Sequence, residues 1–172
     1  MTRSKLCVLL GALLISSVPD APAAEAQFRP EQFFAGRTRS SGVFVNTFGK
    51  PHERFTTECR GRRRGDTLWL DQIFRYDDGR TQRRRWQIRR VDAVRYVGRA
   101  NDVVGEARGK VDGATFQFAY VVALKPGNPV FNVRLNQTMT LQRDGTVENR
   151  ATIRKLGVVL SRVTERFGVW IK

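Results

Sequence analysis

Residues that do chemistry in combination are scarce in this chain. It has one histidine, His52, and two cysteines, Cys7 and Cys59. A Ser-His-Asp arrangement would have to use His52, and no serine lies in a Gly-x-Ser-x-Gly turn. A zinc site draws three or four ligands mostly from Cys and His, and this supply falls short. The stretch Asp102-Val103-Val104-Gly105-Glu106-Ala107-Arg108-Gly109 lacks the Lys-Ser/Thr ending and following helix of a phosphate loop. Several acids sit where turns need them: Asp77, Asp78, Asp112 and Asp144. The other acids include Glu58, Asp71, Asp102, Glu148 and Glu165, with no spacing that pairs them. No catalytic set, metal or cofactor is expected; an enzyme acting on lipid through Tyr or carboxylate groups is the weakest reading.

The remaining chemistry is that of binding. Arg84, Gln137 and Asn149 interrupt apolar stripes, and Tyr96 and Tyr120 bring hydroxyls close to such stripes. Trp86, Phe118, Leu135 and Met139 supply apolar wall. Apolar walls with a few converging polar groups are the usual make-up of a small-molecule pocket. A buried arginine needs a partner, because an isolated buried charge is very costly. The partner is an internal carboxylate, such as Asp71 or Asp102, or a ligand carboxylate or phosphate gripped by the guanidinium. Both stay open at this point.

These side chains must be held by strands. From Ser41 to Ile171 short runs of period-two alternation are separated by Asp78-Gly79, Asp112-Gly113, Pro126-Gly127-Asn128 and Asp144-Gly145. Alternation sends successive side chains to opposite faces, and an Asp-Gly pair supplies the positive φ of a tight hairpin. Ten strands are expected: Gly42–Thr47, Arg54–Cys59, Thr67–Tyr76, Gln82–Val91, Arg95–Arg99, Gly105–Val111, Thr115–Leu124, Val130–Leu141, Thr146–Lys155 and Val158–Trp170. Phe116, Phe118, Tyr120 and Val122 share one face. Phe131, Val133, Leu135, Gln137, Met139 and Leu141 share another, as do Val147, Asn149, Ala151 and Ile153. Arg84 shares its face with Trp86 and Ile88. Before the strands, Arg29 to Gly36 reads as one helical turn with Pro30 at its start, after an exposed leader from Ala21 to Phe28. Phe33 and Phe34 would then dock on the barrel mouth or plug it. Cys59 reads as a partly buried apolar residue near a strand end, and His52 as part of a loop.

Continuous hairpins favour an all-β, antiparallel, up-and-down barrel of about eight to ten strands, wide enough to be filled or to enclose one small ligand. Residues 27–172 form this single domain.

The first 26 residues are of another kind. Arg3 and Lys5 precede the apolar run from Leu6 to Val18, and small residues follow at Ala21, Ala23, Ala24 and Ala26. This is the layout of a secretory signal peptide, with cleavage after Ala23 or Ala26. The run is shorter than the roughly 20 residues of a membrane-spanning helix. Removal leaves Cys59 alone, so no internal disulfide can form and the core must carry stability. The expected setting is the periplasm. The net charge is +15, from 31 Lys and Arg against 16 Asp and Glu. Export argues against nucleic acid as a partner and points instead to anionic membrane surfaces and cell-wall polymers.

Three stretches carry a resemblance to a known family. They are Gln82-Arg83-Arg84-Arg85-Trp86-Gln87-Ile88, then Tyr96 to Gly109, and Asn149 to Val158, supported by Phe33-Phe34-x-Gly36 and Gly42-Val43-Phe44. In this order they resemble the domain-of-unknown-function 3833 family. The resemblance implies an exported protein of Gram-negative bacteria, often lipoprotein-type, with a lipocalin-like barrel and a neighbourhood of fatty-acid-modifying functions. By position it brings forward Arg84, Trp86, Tyr96, Gly98, Asp102, Gly105, Asn149, Arg150, Lys155 and Gly157. Two departures stand out. The lipidation cysteine is missing, which argues against a lipid anchor. An Asp-Trp-Met-Tyr-like stretch is replaced by Asn136-Gln137-Thr138-Met139-Thr140.

The expected function is therefore binding of a hydrophobic, anionic small molecule such as a fatty acid or lipid. Arg84, Trp86, Tyr96, Phe118, Tyr120, Leu135, Gln137, Met139 and Asn149 would form the site. The competing expectation is an envelope structural or interaction protein with a solid core and a basic docking surface.

Overall fold

A computed structural model describes residues 27–170. The expected signal peptide, with Cys7, lies outside the described residues. One four-residue helix, α1 (Pro30–Phe33), precedes ten antiparallel strands. These are β1 (Gly36–Val45), β2 (Pro51–Arg64), β3 (Thr67–Tyr76), β4 (Thr81–Arg90), β5 (Arg95–Ala100), β6 (Val103–Asp112), β7 (Thr115–Ala123), β8 (Asn132–Leu141), β9 (Val147–Lys155) and β10 (Val158–Val169). Each strand bonds to the next, and β1 also bonds to β10, closing the barrel. Thr38 stands opposite Cys59 on one side and Val169 on the other. Among the described residues no helix is long and apolar enough to cross a membrane.

The alternating residues sort as their spacing dictates. Phe116, Phe118, Tyr120 and Val122 of β7 are buried inside, while Gln117 is exposed. On β9, Val147, Asn149 and Ala151 are buried and Arg150 is exposed. Glycine makes room for the aromatic rings. A Cβ on Gly109 would lie 2.5 Å from the Phe116 ring, and one on Gly42 would lie 2.4 Å from Phe55. Gly105, at φ +70, allows the irregularity where β6 shifts register against β7 between Val104 and Arg108.

Because consecutive strands reverse direction, the turns fall alternately at two ends. One end is plugged. There Pro30 occupies the first position of α1, and the Phe28 N–H donates to the Gly113 carbonyl at 2.9 Å. Phe28 and Phe34 are buried against Leu68, Tyr96, Phe116 and Phe167. The exposed leader expected up to Phe28 is thus corrected: the ring of Phe28 is 1% exposed. Glu31 is buried in this plug, and its Oε2 accepts the Tyr96 hydroxyl at 3.0 Å.

Some boundaries differ from expectation. β1 starts at Gly36 rather than Gly42, because Thr38 and Ser40 face the interior without being apolar. β2 extends from Pro51 to Arg64, so His52 belongs to a strand, with Nε2 3.3 Å from the Ser161 Oγ. β8 starts two residues late, since Pro129–Phe131 form a 3-10 turn capped by the Asn128 side chain. Cys59 is fully buried within β2, and burial pushes its thiol up to about 12.

One turn stands apart. Lys155 pairs with Val158 across a two-residue turn in which Leu156 has φ +48 and Gly157 φ +83. That is the type I′ geometry usually filled by Asn-Gly. A left-handed backbone costs a residue with a Cβ about 1–2 kcal/mol.

Candidate functional site

The half of the barrel opposite the plug is hollow. A cavity of about 240 Å³ lies there, walled by rings and branched chains such as Phe44, Phe55, Phe74, Trp86, Phe118 and Leu135. Leu124 and Leu160, both exposed, mark its mouth.

Two polar clusters face this space. The first runs along β4 and into the β5–β6 turn. Arg84 Nε donates to both carboxylate oxygens of Asp102 at 2.9 Å, and Nη2 reaches Asp102 Oδ2 at 2.8 Å. Arg84 Nη1 donates to the Tyr120 hydroxyl at 3.3 Å. Gln82 Nε2 also donates to Asp102 at 3.1 Å, while its Oε1 accepts from the Tyr76 hydroxyl at 3.0 Å. The guanidinium lies 5.6 Å from the ring centroids of both Phe74 and Tyr120, within cation–π range. A guanidinium carries five N–H groups. Three are taken by these partners, which leaves one on each terminal nitrogen without a partner among the described residues.

The second cluster centres on Glu165 of β10. Its Oε1 accepts from Ser40 Oγ at 2.6 Å and Thr57 Oγ1 at 2.8 Å. Its Oε2 accepts from Asn149 Nδ2 at 3.0 Å. Four strands meet here, because Ser40 pairs with Thr57 and Glu165 pairs with both Gly42 and Asn149 in the ladders. Burial pushes the Glu165 carboxyl above its ordinary range, against the opposing pull of the three donors and of Arg84. Asn149 Oδ1 is buried without a partner. Burial likewise raises the Tyr120 phenol.

Eight of the nine residues expected at the site line this cavity: Arg84, Trp86, Phe118, Tyr120, Leu135, Gln137, Met139 and Asn149. Tyr96 does not. It lies in the plug half, its hydroxyl committed to Glu31. The open choice of partner for Arg84 resolves in favour of Asp102. Asp71 pairs instead with Arg83 on the outer face. The Trp86 Nε1–H is also committed, donating to Gln72 Oε1 at 3.0 Å.

Sequence reasoning left Glu165, Gln72 and Gln82 unassigned. Glu165 gave the same signal as Asn149, since it falls between Val163 and Phe167 on an otherwise apolar face. Among the described residues no group of three His, Cys, Asp or Glu side chains could hold a metal ion.

Two solved structures share the architecture. The S-type phycobiliprotein lyase CPES from Guillardia theta superposes with a TM-score of 0.61 at 8% identity, covering 83% of this chain and 93% of that one. Rv2717c from M. tuberculosis superposes with a TM-score of 0.60 at 14% identity, covering 83% of this chain and 99% of that one. At these identities the likeness is one of fold. No curated protein matches the sequence. The family model described as "Protein of unknown function (DUF3833)" matches residues 7–168, and the chain belongs to that family.

Proposed function

We propose that this barrel binds one hydrophobic small molecule of the fatty-acid or lipid class, with its polar end at Arg84, Tyr120, Gln137 and Asn149, and does so in the periplasm. The observation that carries this reading is the cavity itself, apolar over most of its wall and furnished with unused N–H groups on Arg84 and an unpartnered Asn149 Oδ1. Drug-sized pockets run from roughly 300 to 1,000 Å³. A space of about 240 Å³ suits a shorter chain. The barrel shared with the S-type phycobiliprotein lyase is compatible with small-molecule binding.

The Asp102 pair refines the ligand's chemistry. Arg84 is already neutralised, so it offers hydrogen bonds more than net charge. A carboxylate therefore gains little over a hydroxyl of the same chain length. A solid core, as the structural-protein reading requires, describes only the plug half.

The test is a thermal-shift series on delipidated, detergent-free protein, with medium-chain fatty acids and their matching alcohols, beside native mass spectrometry of undelipidated protein. Binding only to the folded state stabilises by about 2.7 kcal/mol at one hundred times Kd. Acid and alcohol are expected to bind within about tenfold of each other. Val122→Trp, which fills the cavity, should abolish the shift. No shift with either series, together with no co-purifying molecule, overturns the proposal.

A further inference from the structure

The mouth of the barrel is built unlike its walls. Three neighbouring connections, β7–β8, β9–β10 and β1–β2, lie on one arc of the open end. They carry Val130, Leu156, Val158 and Phe48, all exposed, with Leu156 at 95% and Phe48 at 87%. Leu124 and Leu160 continue the apolar surface inward to the cavity. From Ala123 to Gln142 and from Asn149 to Thr164 there is no Asp or Glu, but five basic residues besides Arg150, which pairs with Glu148: Lys125, Arg134, Arg154, Lys155 and Arg162. Among the described residues Lys125 and Lys155 pair with the Phe131 ring, at 4.2 and 5.7 Å from its centroid. Of the acids at this end, Glu53 borders the β1–β2 connection but is paired with Arg80, while Asp77, Asp78 and Asp102 lie in the β3–β4 and β5–β6 turns, where Asp78 and Asp102 are engaged by Arg80 and Arg84.

Leu156 is the informative residue. It is a large apolar side chain at a hairpin tip, in a left-handed backbone that favours Asn or Gly, and it buries almost nothing. Burial does not explain it, and local propensity opposes it. Strain at such a position, kept without a packing return, points to function.

We propose that this arc docks on an anionic lipid bilayer, with Phe48, Val130, Leu156 and Val158 entering the interface and the lysines and arginines meeting the headgroups. The mouth of the cavity then opens at the bilayer. This deepens the ligand reading above by naming the surface from which the cavity is loaded, but it is tested without ligand.

The experiment is co-sedimentation with vesicles of phosphatidylcholine alone and with about one third phosphatidylglycerol. Each variant is compared with the unsubstituted chain of equal length, so any contribution of residues 1–26 cancels. The parent should partition onto the anionic vesicles more than tenfold better than onto the neutral ones. Leu156→Asn should lower that partition roughly tenfold while the thermal midpoint stays level or rises, because the turn relaxes. Phe48→Ser with Leu156→Asn should lower it further. Val122→Trp should leave it unchanged, which separates failure of docking from failure of ligand binding. A second basic surface, on the barrel wall at Arg64, Arg89 and Arg108, provides the contrary case. If reversing those three charges abolishes binding while the tip variants bind like the parent, the proposal is overturned. Absence of binding to either vesicle overturns it as well.

Discussion

Arg84 and Glu165 place two ionisable groups in one cavity, and each is managed differently. Arg84 is held by Asp102 through short, multiple bonds in a mostly buried setting. Removing one partner leaves the other unpaired. Asp102→Ala is expected to destabilise the protein by about 3–5 kcal/mol, read as a fall in the urea midpoint. Adding Arg84→Met to it should restore most of that loss, since the stranded charge is gone. Glu165 has donors but no cation in contact, and burial dominates, so its folded pKa lies above the unfolded value near 4.5. Its contribution is greatest below about pH 4.5 and fades as pH rises toward the folded pKa. The surface carboxylates Asp66, Asp71 and Asp92, lowered by hydrogen bonds and nearby arginines, act in the opposite sense. The difference between parent and Glu165→Gln isolates the buried acid. The variant should gain on the parent as pH rises from 4.5 to 8, and equal stabilities across that range would remove this account of Glu165. Arg84, Gln137 and Asn149 were legible because each breaks an apolar stripe. Glu165 breaks one too, between Val163 and Phe167. Ser40 and Thr57 were not legible, because small hydroxyls among polar neighbours leave no contrast to read.

At the scale of elements, the barrel depends on close approach at glycine. Gly61 of β2 lies beneath the plug, where an added Cβ would meet the Phe34 carbonyl oxygen at 1.7 Å. Backbone cannot yield as a side-chain end can. Gly61→Ala is expected to push α1 outward and cost about 1–3 kcal/mol, seen as a lower thermal midpoint and faster hydrogen exchange at the Phe28 and Phe34 amides. Unchanged exchange there would show that the plug does not rest on this strand. Strand existence was readable from alternation and from Asp-Gly turns, most clearly in β7. Strand ends were not. Gly36 to Ser41 contains no apolar residue, yet Thr38 and Ser40 face inward and the ladder to β10 starts there. The plug was readable only in Pro30, Phe33 and Phe34. Four residues are too few for a helical period, so the burial of Glu31 and Phe28 left no trace in spacing.

For the molecule as a whole, the sum of charge and the placing of charge are separate facts. The excess of +15 reads directly from composition. Its division into a salt-bridged side near Glu53 and Asp78, an arginine-rich wall, and acid-free connections β7–β8 and β9–β10 at the mouth depends on which strands become neighbours. The pairing of β1 with β10 joins segments more than a hundred residues apart, and no local signal marks it. Hollowness was equally invisible. It follows from how far Phe28 and Phe34 reach into the barrel, which is a matter of packing depth. One practical consequence lies in the direction of the chain's ends. The described chain enters at Gln27 beside the plug, and at Trp170 its N–H donates to the Arg37 carbonyl at the same end. An affinity tag, a fluorophore or an immobilising linker joined directly at Gln27 or Trp170 therefore stands a barrel's length from the opening, leaving it free for assays that watch cargo enter.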